Sequence, residues 1–187
     1  MAFSWNHELL DQLDFAWNVQ FMPRMEGLTD EEYLWEPVDG CLTMRPAEDG
    51  TFRLEPRTQA NPPPFTTIAW RIGHMASVFG RRASNHFGDA SYAEESVRWP
   101  GTAAGALAIL DEQYRLWHAG VESLGEDGLF EPSGPHEGPF AEAPKATLVL
   151  HITREFLHHA AEVALLRDLY RDTVAKGKLT LHPPCAS

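Results

Sequence analysis

The chain has 187 residues, enough for one compact domain with a sizeable core and too few for two independent ones. Composition is that of a globular protein, 43% hydrophobic and 22% charged, with six Trp and ten Phe to fill a core. The 27 acidic residues outnumber the 15 basic ones; the resulting charge of −12 disfavours nucleic acid and anionic membranes as partners.

The first helical pattern runs from about Trp5 to Glu26, with Ser4 as N-cap and Leu9, Leu13, Trp17 and Phe21 as its buried stripe. Its acidic, amphipathic start does not read as a signal peptide. Pro23 should kink or end this helix. Gly27 then stops the chain, and Thr29 to Glu32 reads as a capping box opening a short helix to about Trp35. Residues Glu36 to Phe65 are proline-rich and form a long loop or lid. Within it the Asp49-Gly50 turn signal predicts a small hairpin pairing Cys41–Met44 with Thr51–Leu54.

A second long helix is expected over Thr67–Phe87, capped by Thr66 or Thr67 and closed by Gly88, with Ile68, Ile72, Met75 and Phe79 inward. The third spans about Thr102 to Leu124, with Leu107, Leu110, Tyr114, Trp117 and Val121 inward. A Gly/Pro-rich loop, Gly125 to Ala143, leads to a fourth helix starting near Pro144 and ending near Val174. Together these patterns predict an all-α four-helix bundle over residues 1–175, with a loose tail over 176–187. The two cysteines, Cys41 and Cys185, form neither a disulfide framework nor a zinc-finger spacing. No segment has the ~20 consecutive apolar residues of a membrane span, so a cytoplasmic protein is expected.

The fourth helix carries the chemistry. Leu148, Ile152, Glu155, His159, Glu162, Val163, Leu166 and Tyr170 recur at three- and four-residue steps along one face. Burying a carboxylate and an imidazole on such a face is costly unless they are paired. Glu155 and His159, four residues apart, point the same way about 6 Å apart along the axis, a spacing that suits a divalent metal. A catalytic zinc usually takes three protein ligands, and His74 is the best third candidate. It sits mid-helix among apolar residues, beside a Gly73 that suggests close approach of a neighbouring backbone. The plain alternative is a hydrogen-bonded Glu155–His159 pair with His74 as an ordinary core histidine. Arg71 and Arg167 hold buried carboxylates or face a loop. His7, His86, His118, His136 and His182 read as surface or loop residues.

Residues Thr66 to Met75, His151 to Tyr170 and Gly27 to Glu32 resemble segments of the DinB/YfiT-like family of metalloenzymes, and the likeness spans about residues 5 to 173. It implies a four-helix bundle with a three-residue metal site, often paired as a homodimer. The family's first histidine carries over to His74 and its last to His159. Where many members have a middle histidine this chain has Glu155. A similar His/Glu/His set binds zinc in the mycothiol-dependent maleylpyruvate isomerase branch.

The resemblance therefore implies a divalent metal on His74, Glu155 and His159, zinc first and nickel or iron as alternatives. His151 and His158 become candidates for supporting the ligands from the helix flank. The implied activity is that of a thiol-dependent S-transferase or isomerase, which uses a low-molecular-weight thiol such as mycothiol against a small-molecule electrophile. A metal-dependent hydrolase, a non-haem iron enzyme and a non-catalytic stress-associated bundle remain as alternative readings.

Overall fold

The computed structural model describes residues 3–177; His182, Cys185 and the rest of the expected tail from 178 onward lie outside the described residues. The first helical rod comprises α1 (Trp5–Phe15), a π-helical segment (Ala16–Phe21) and α2 (Met22–Met25). Pro23 explains the π turn. Proline offers no N–H and its ring crowds the carbonyl one turn back, so the preceding turn widens and Met22 N–H bonds Trp17 O. The rod thus absorbs Pro23 and ends two residues later, before Gly27 at φ 70. Ser4 occupies the cap position, but its hydroxyl donates to Glu126 Oε2 at 2.9 Å instead of capping the helix.

α3 (Asp30–Tyr33) is capped by the Thr29 hydroxyl, which accepts from Glu32 N. The expected reciprocal half of the box is absent among the described residues. Glu32 instead turns inward and takes both Arg167 Nε (2.8 Å) and Nη2 (3.0 Å). Asp30 accepts from Ala103 N at 2.8 Å, tying this turn to the start of a later helix.

The hairpin forms, with its first strand three residues later than the segment expected. β1 (Met44–Pro46) pairs with β2 (Phe52–Leu54), placing Met44 opposite Leu54 and Pro46 opposite Phe52. Residues 42 and 43 are drawn elsewhere: Leu42 N–H bonds Phe65 O, and Thr43 N–H bonds the Glu55 carboxylate at 2.8 Å.

α4 (Ile68–Phe87) starts where expected because the Thr67 hydroxyl accepts from Trp70 N. α5 (Ala103–Gly128) is capped the same way by Thr102, and its geometry breaks at Gly125, φ 58. α6 (Lys145–Thr173) follows Pro144, which sits at the cap position and not in the first turn.

α1 packs on α5 and α6, and α4 packs on the same two helices, closing a four-membered bundle. The core is the predicted stripes with small shifts. Leu13, Trp17, Phe21, Ile72, Met75, Phe79, Leu110, Tyr114, Trp117 and Val121 are buried. Leu9 and Leu107 are only half-buried; Leu10 replaces the first, and Ala103 and Ala106 replace the second. No helix among the described residues is long and apolar enough to cross a membrane.

Gly73 supports the site indirectly. A Cβ there would collide with Met44 Cε and meet Leu54 Cδ1 at 3.0 Å, so the close approach is by hairpin side chains, not by a neighbouring backbone. The hairpin therefore lies directly against α4, one residue from His74.

Candidate metal centre

The Thr67 cap and the apolar stripe of α4 fix that helix against α6, and His74 projects from the contact toward Glu155 and His159. One donor atom from each of the three lies within 4.8 Å of the others. His74 Nε2 is 4.0 Å from Glu155 Oε2, and His159 Nε2 is 3.9 Å from the same oxygen. The two imidazole rings stand edge to face, 4.8 Å apart at 87°. Donors about 2.0–2.2 Å from a tetrahedral zinc lie roughly 3.3 Å from one another. The two nitrogen–oxygen separations exceed that by less than an ångström, and the nitrogen–nitrogen one by up to about 1.5 Å. Met75, Phe79, Ile152 and Phe156 pack as an apolar layer beside Glu155 and His159.

Hydrogen bonds set the tautomer of His159. Its Nδ1 lies 2.8 Å from Glu162 Oε2, and an ionised carboxylate only accepts, so the proton is on Nδ1 and the Nε2 lone pair faces Glu155 and His74. Glu162 is in turn held by the Arg71 guanidinium, which is buried and also donates to Thr66 O at 3.3 Å. A carboxylate behind a ligating histidine is the usual support of metal-bound imidazole. This settles the role of Arg71, and Arg167 likewise holds a buried carboxylate, that of Glu32.

On the other side, Arg57 from the long loop donates Nη2 to His74 Nε2 at 2.8 Å. Its guanidinium lies over the Trp70 ring, 5.5 Å from the centroid, while Trp70 stacks on His74 at 5.0 Å and 17°. A cationic group thus already contacts the ring nitrogen that faces Glu155. Trp70 Nε1 donates to Glu55 O at 2.8 Å, which pins this part of the loop to α4.

Both imidazoles are held neutral. Burial, helped by Arg57 and His159, lowers His74 to about 3; burial, helped by His158, Arg71 and Arg57, lowers His159 to about 4. The neutral imidazole is the form that ligates a metal. Two neutral imidazoles and one carboxylate, with the Glu162 carboxylate behind His159, form a donor set that fits a divalent cation once Arg57 releases His74 Nε2.

His151 and His158 do not bond the three central residues. His151 Nδ1 accepts from Arg154 at 2.8 Å and stays 3.9 Å from Glu155 Oε1. The His158 side chain is 66% exposed, and its Nε2 lies 3.4 Å from Glu162 Oε1, on the flank of the helix. The supporting part expected of them falls to Glu162, whose position three residues after His159 was the available signal. Among the other histidines, His7 and His136 are exposed and His118 pairs with Asp14, whereas His86 corrects the expectation. Its side chain is only 3% exposed and bonds Glu137 Oε1 at 3.0 Å, because the 125–143 loop folds back over α4.

Comparison with curated proteins and with solved structures yields no match. A family model does match, over residues 12–163, a span that takes in His74, Glu155, His159 and Glu162. With most of its length covered by that model and a helical bundle as its architecture, the chain belongs to the DinB superfamily.

Proposed function

We propose that His74, Glu155 and His159 hold a divalent metal ion, zinc before nickel or iron, and that the chain is a metal-dependent enzyme acting with a low-molecular-weight thiol. The observation that carries this reading is the convergence of three donors from two helices, with Glu162 aiming the Nε2 lone pair of His159 inward. When bound, the ion supplies Lewis acidity that favours the thiolate form of a coordinated thiol at neutral pH. His74 and His159, both neutral, grip without giving up a proton, while Glu155 offsets one positive charge. Met75, Phe79, Ile152 and Phe156 give the centre one apolar side. Three protein ligands leave a fourth position for the thiol. The chemistry such an ion would supply is S-transfer to, or thiol-assisted isomerisation of, a small electrophile. The likeness of the His/Glu/His set to the mycothiol-dependent maleylpyruvate isomerase branch favours mycothiol as the thiol.

Two imidazoles and one carboxylate also make up the facial triad of iron(II) oxygenases, and this donor set is what favours iron as the second reading. Elemental analysis of the purified protein separates the two. Zinc near one equivalent, lost in His159→Ala together with thiol-dependent consumption of an electrophile, is the expected result. Full activity in a metal-free His159→Ala variant would overturn the proposal.

A further inference from the structure

Between the 3₁₀ turn Pro135–Phe140 and the first turns of α6 lies a cavity of about 610 Å³, a volume typical of small-molecule sites. Its charged lining is Arg82, His136, Glu137, His151 and Arg154, and Phe140 supplies an apolar wall. Two guanidiniums and two imidazoles against one carboxylate is an unusual balance in a chain whose net charge is −12.

The single carboxylate is already engaged. Glu137 Oε1 lies 3.0 Å from His86 Nε2 and 3.2 Å from Arg82 Nε, and Oε2 accepts from Arg82 Nη2 at 3.3 Å. Glu137 therefore neutralises Arg82. Arg154 is left over: it donates to the neutral acceptor His151 Nδ1 at 2.8 Å, and among the described residues no carboxylate lies within 4.0 Å of it. Arg154 is exposed at the rim of this open cleft and Phe140 beside it is 67% exposed; a solvent-facing guanidinium without a counter-charge next to an uncovered aromatic ring matches a carboxylate joined to an apolar body.

We infer that this cavity binds a small monocarboxylate, its carboxylate on Arg154 and its apolar part against Phe140. The cavity is separate from the candidate metal centre but borders it at His151, which lies one turn before Glu155 with Nδ1 3.9 Å from its carboxylate. As a statement about the electrophile, the inference rests on the proposed function; as a statement about binding, it needs no metal.

The test is calorimetric titration with benzoate and with its neutral counterpart benzamide, on the full chain and on Arg154→Ala, Arg154→Lys and His74→Ala. Benzoate should bind in the millimolar range, and benzamide about tenfold more weakly or less. Arg154→Ala should lose about tenfold in benzoate affinity with an unchanged melting temperature, and Arg154→Lys should recover part of it. His74→Ala should bind benzoate normally. Persistence of this pattern in metal-free protein supports the inference even if no metal is ever found. Equal binding of benzoate and benzamide, an undiminished Arg154→Ala, no saturable binding, or loss confined to His74→Ala would each overturn it.

Discussion

His159 donates its Nδ1 proton to Glu162 Oε2 at 2.8 Å, and the Arg71 guanidinium from α4 grips the same carboxylate. This ties the orientation of one candidate ligand to an ion pair between two helices. Replacing Glu162 with Gln keeps the shape but removes the charge that fixes the tautomer. Metal affinity should fall about 10–100-fold, as is typical when the partner behind a ligating histidine is lost. A competition titration with a chromophoric chelator measures it, and an unchanged affinity would place Glu162 outside the site's support.

Arg57 competes for the nitrogen that a metal needs. Its hydrogen bond to His74 Nε2 must break before that lone pair can ligate. Arg57→Ala should therefore strengthen metal binding by about two- to tenfold, the equivalent of one net hydrogen bond. Weaker binding in this variant would show that Arg57 assists the site instead of blocking it.

The neutral histidines also govern acid stability. His74 and His159 titrate near 3 and 4 in the folded chain, below the ordinary histidine value of 6.5. Between those values the unfolded chain binds more protons than the folded one, so stability rises with pH and falls as pH drops from 6.5 toward 4. The melting temperature of chelator-treated protein should decline over this window. In His74→Gln and His159→Gln the slope should be shallower; an identical slope would mean that these groups are not held neutral.

Glu32 and Arg167 form a second buried pair, with side chains 7% and 14% exposed, about two turns along α6 from His159. The same guanidinium also bonds the carbonyls of Arg24 and Glu26, holding the end of the first rod. Glu32→Ala leaves that charge without its carboxylate and should cost about 3–5 kcal/mol. Urea unfolding gives the number. Metal affinity should not change, since none of these groups touches the candidate ligands.

Some of these features can be read from the chain because they are local. α4 and α5 begin where Thr67 and Thr102 place a hydroxyl before an apolar period of 3.6, and the caps form as that pattern requires. Glu155 and His159 face the same way because four residues make about one helical turn. The start of the hairpin's first strand was harder to read, since Leu42 N–H bonds Phe65 O and Thr43 N–H bonds the Glu55 carboxylate.

Periodicity and capping, which act over a few neighbouring residues, were enough to place the helices and the bundle and to put Glu155 and His159 on one face. Apart from Glu162, three residues after His159, the charge partners around the site and the nearby loops were not encoded at any fixed spacing. Arg57 meets His74 from a loop, Arg71 meets Glu162 across two helices, and His86 meets Glu137 beneath a folded-back turn. Charge pairing depends on distance through space and on how much water is removed, and neither exists until the helices have packed.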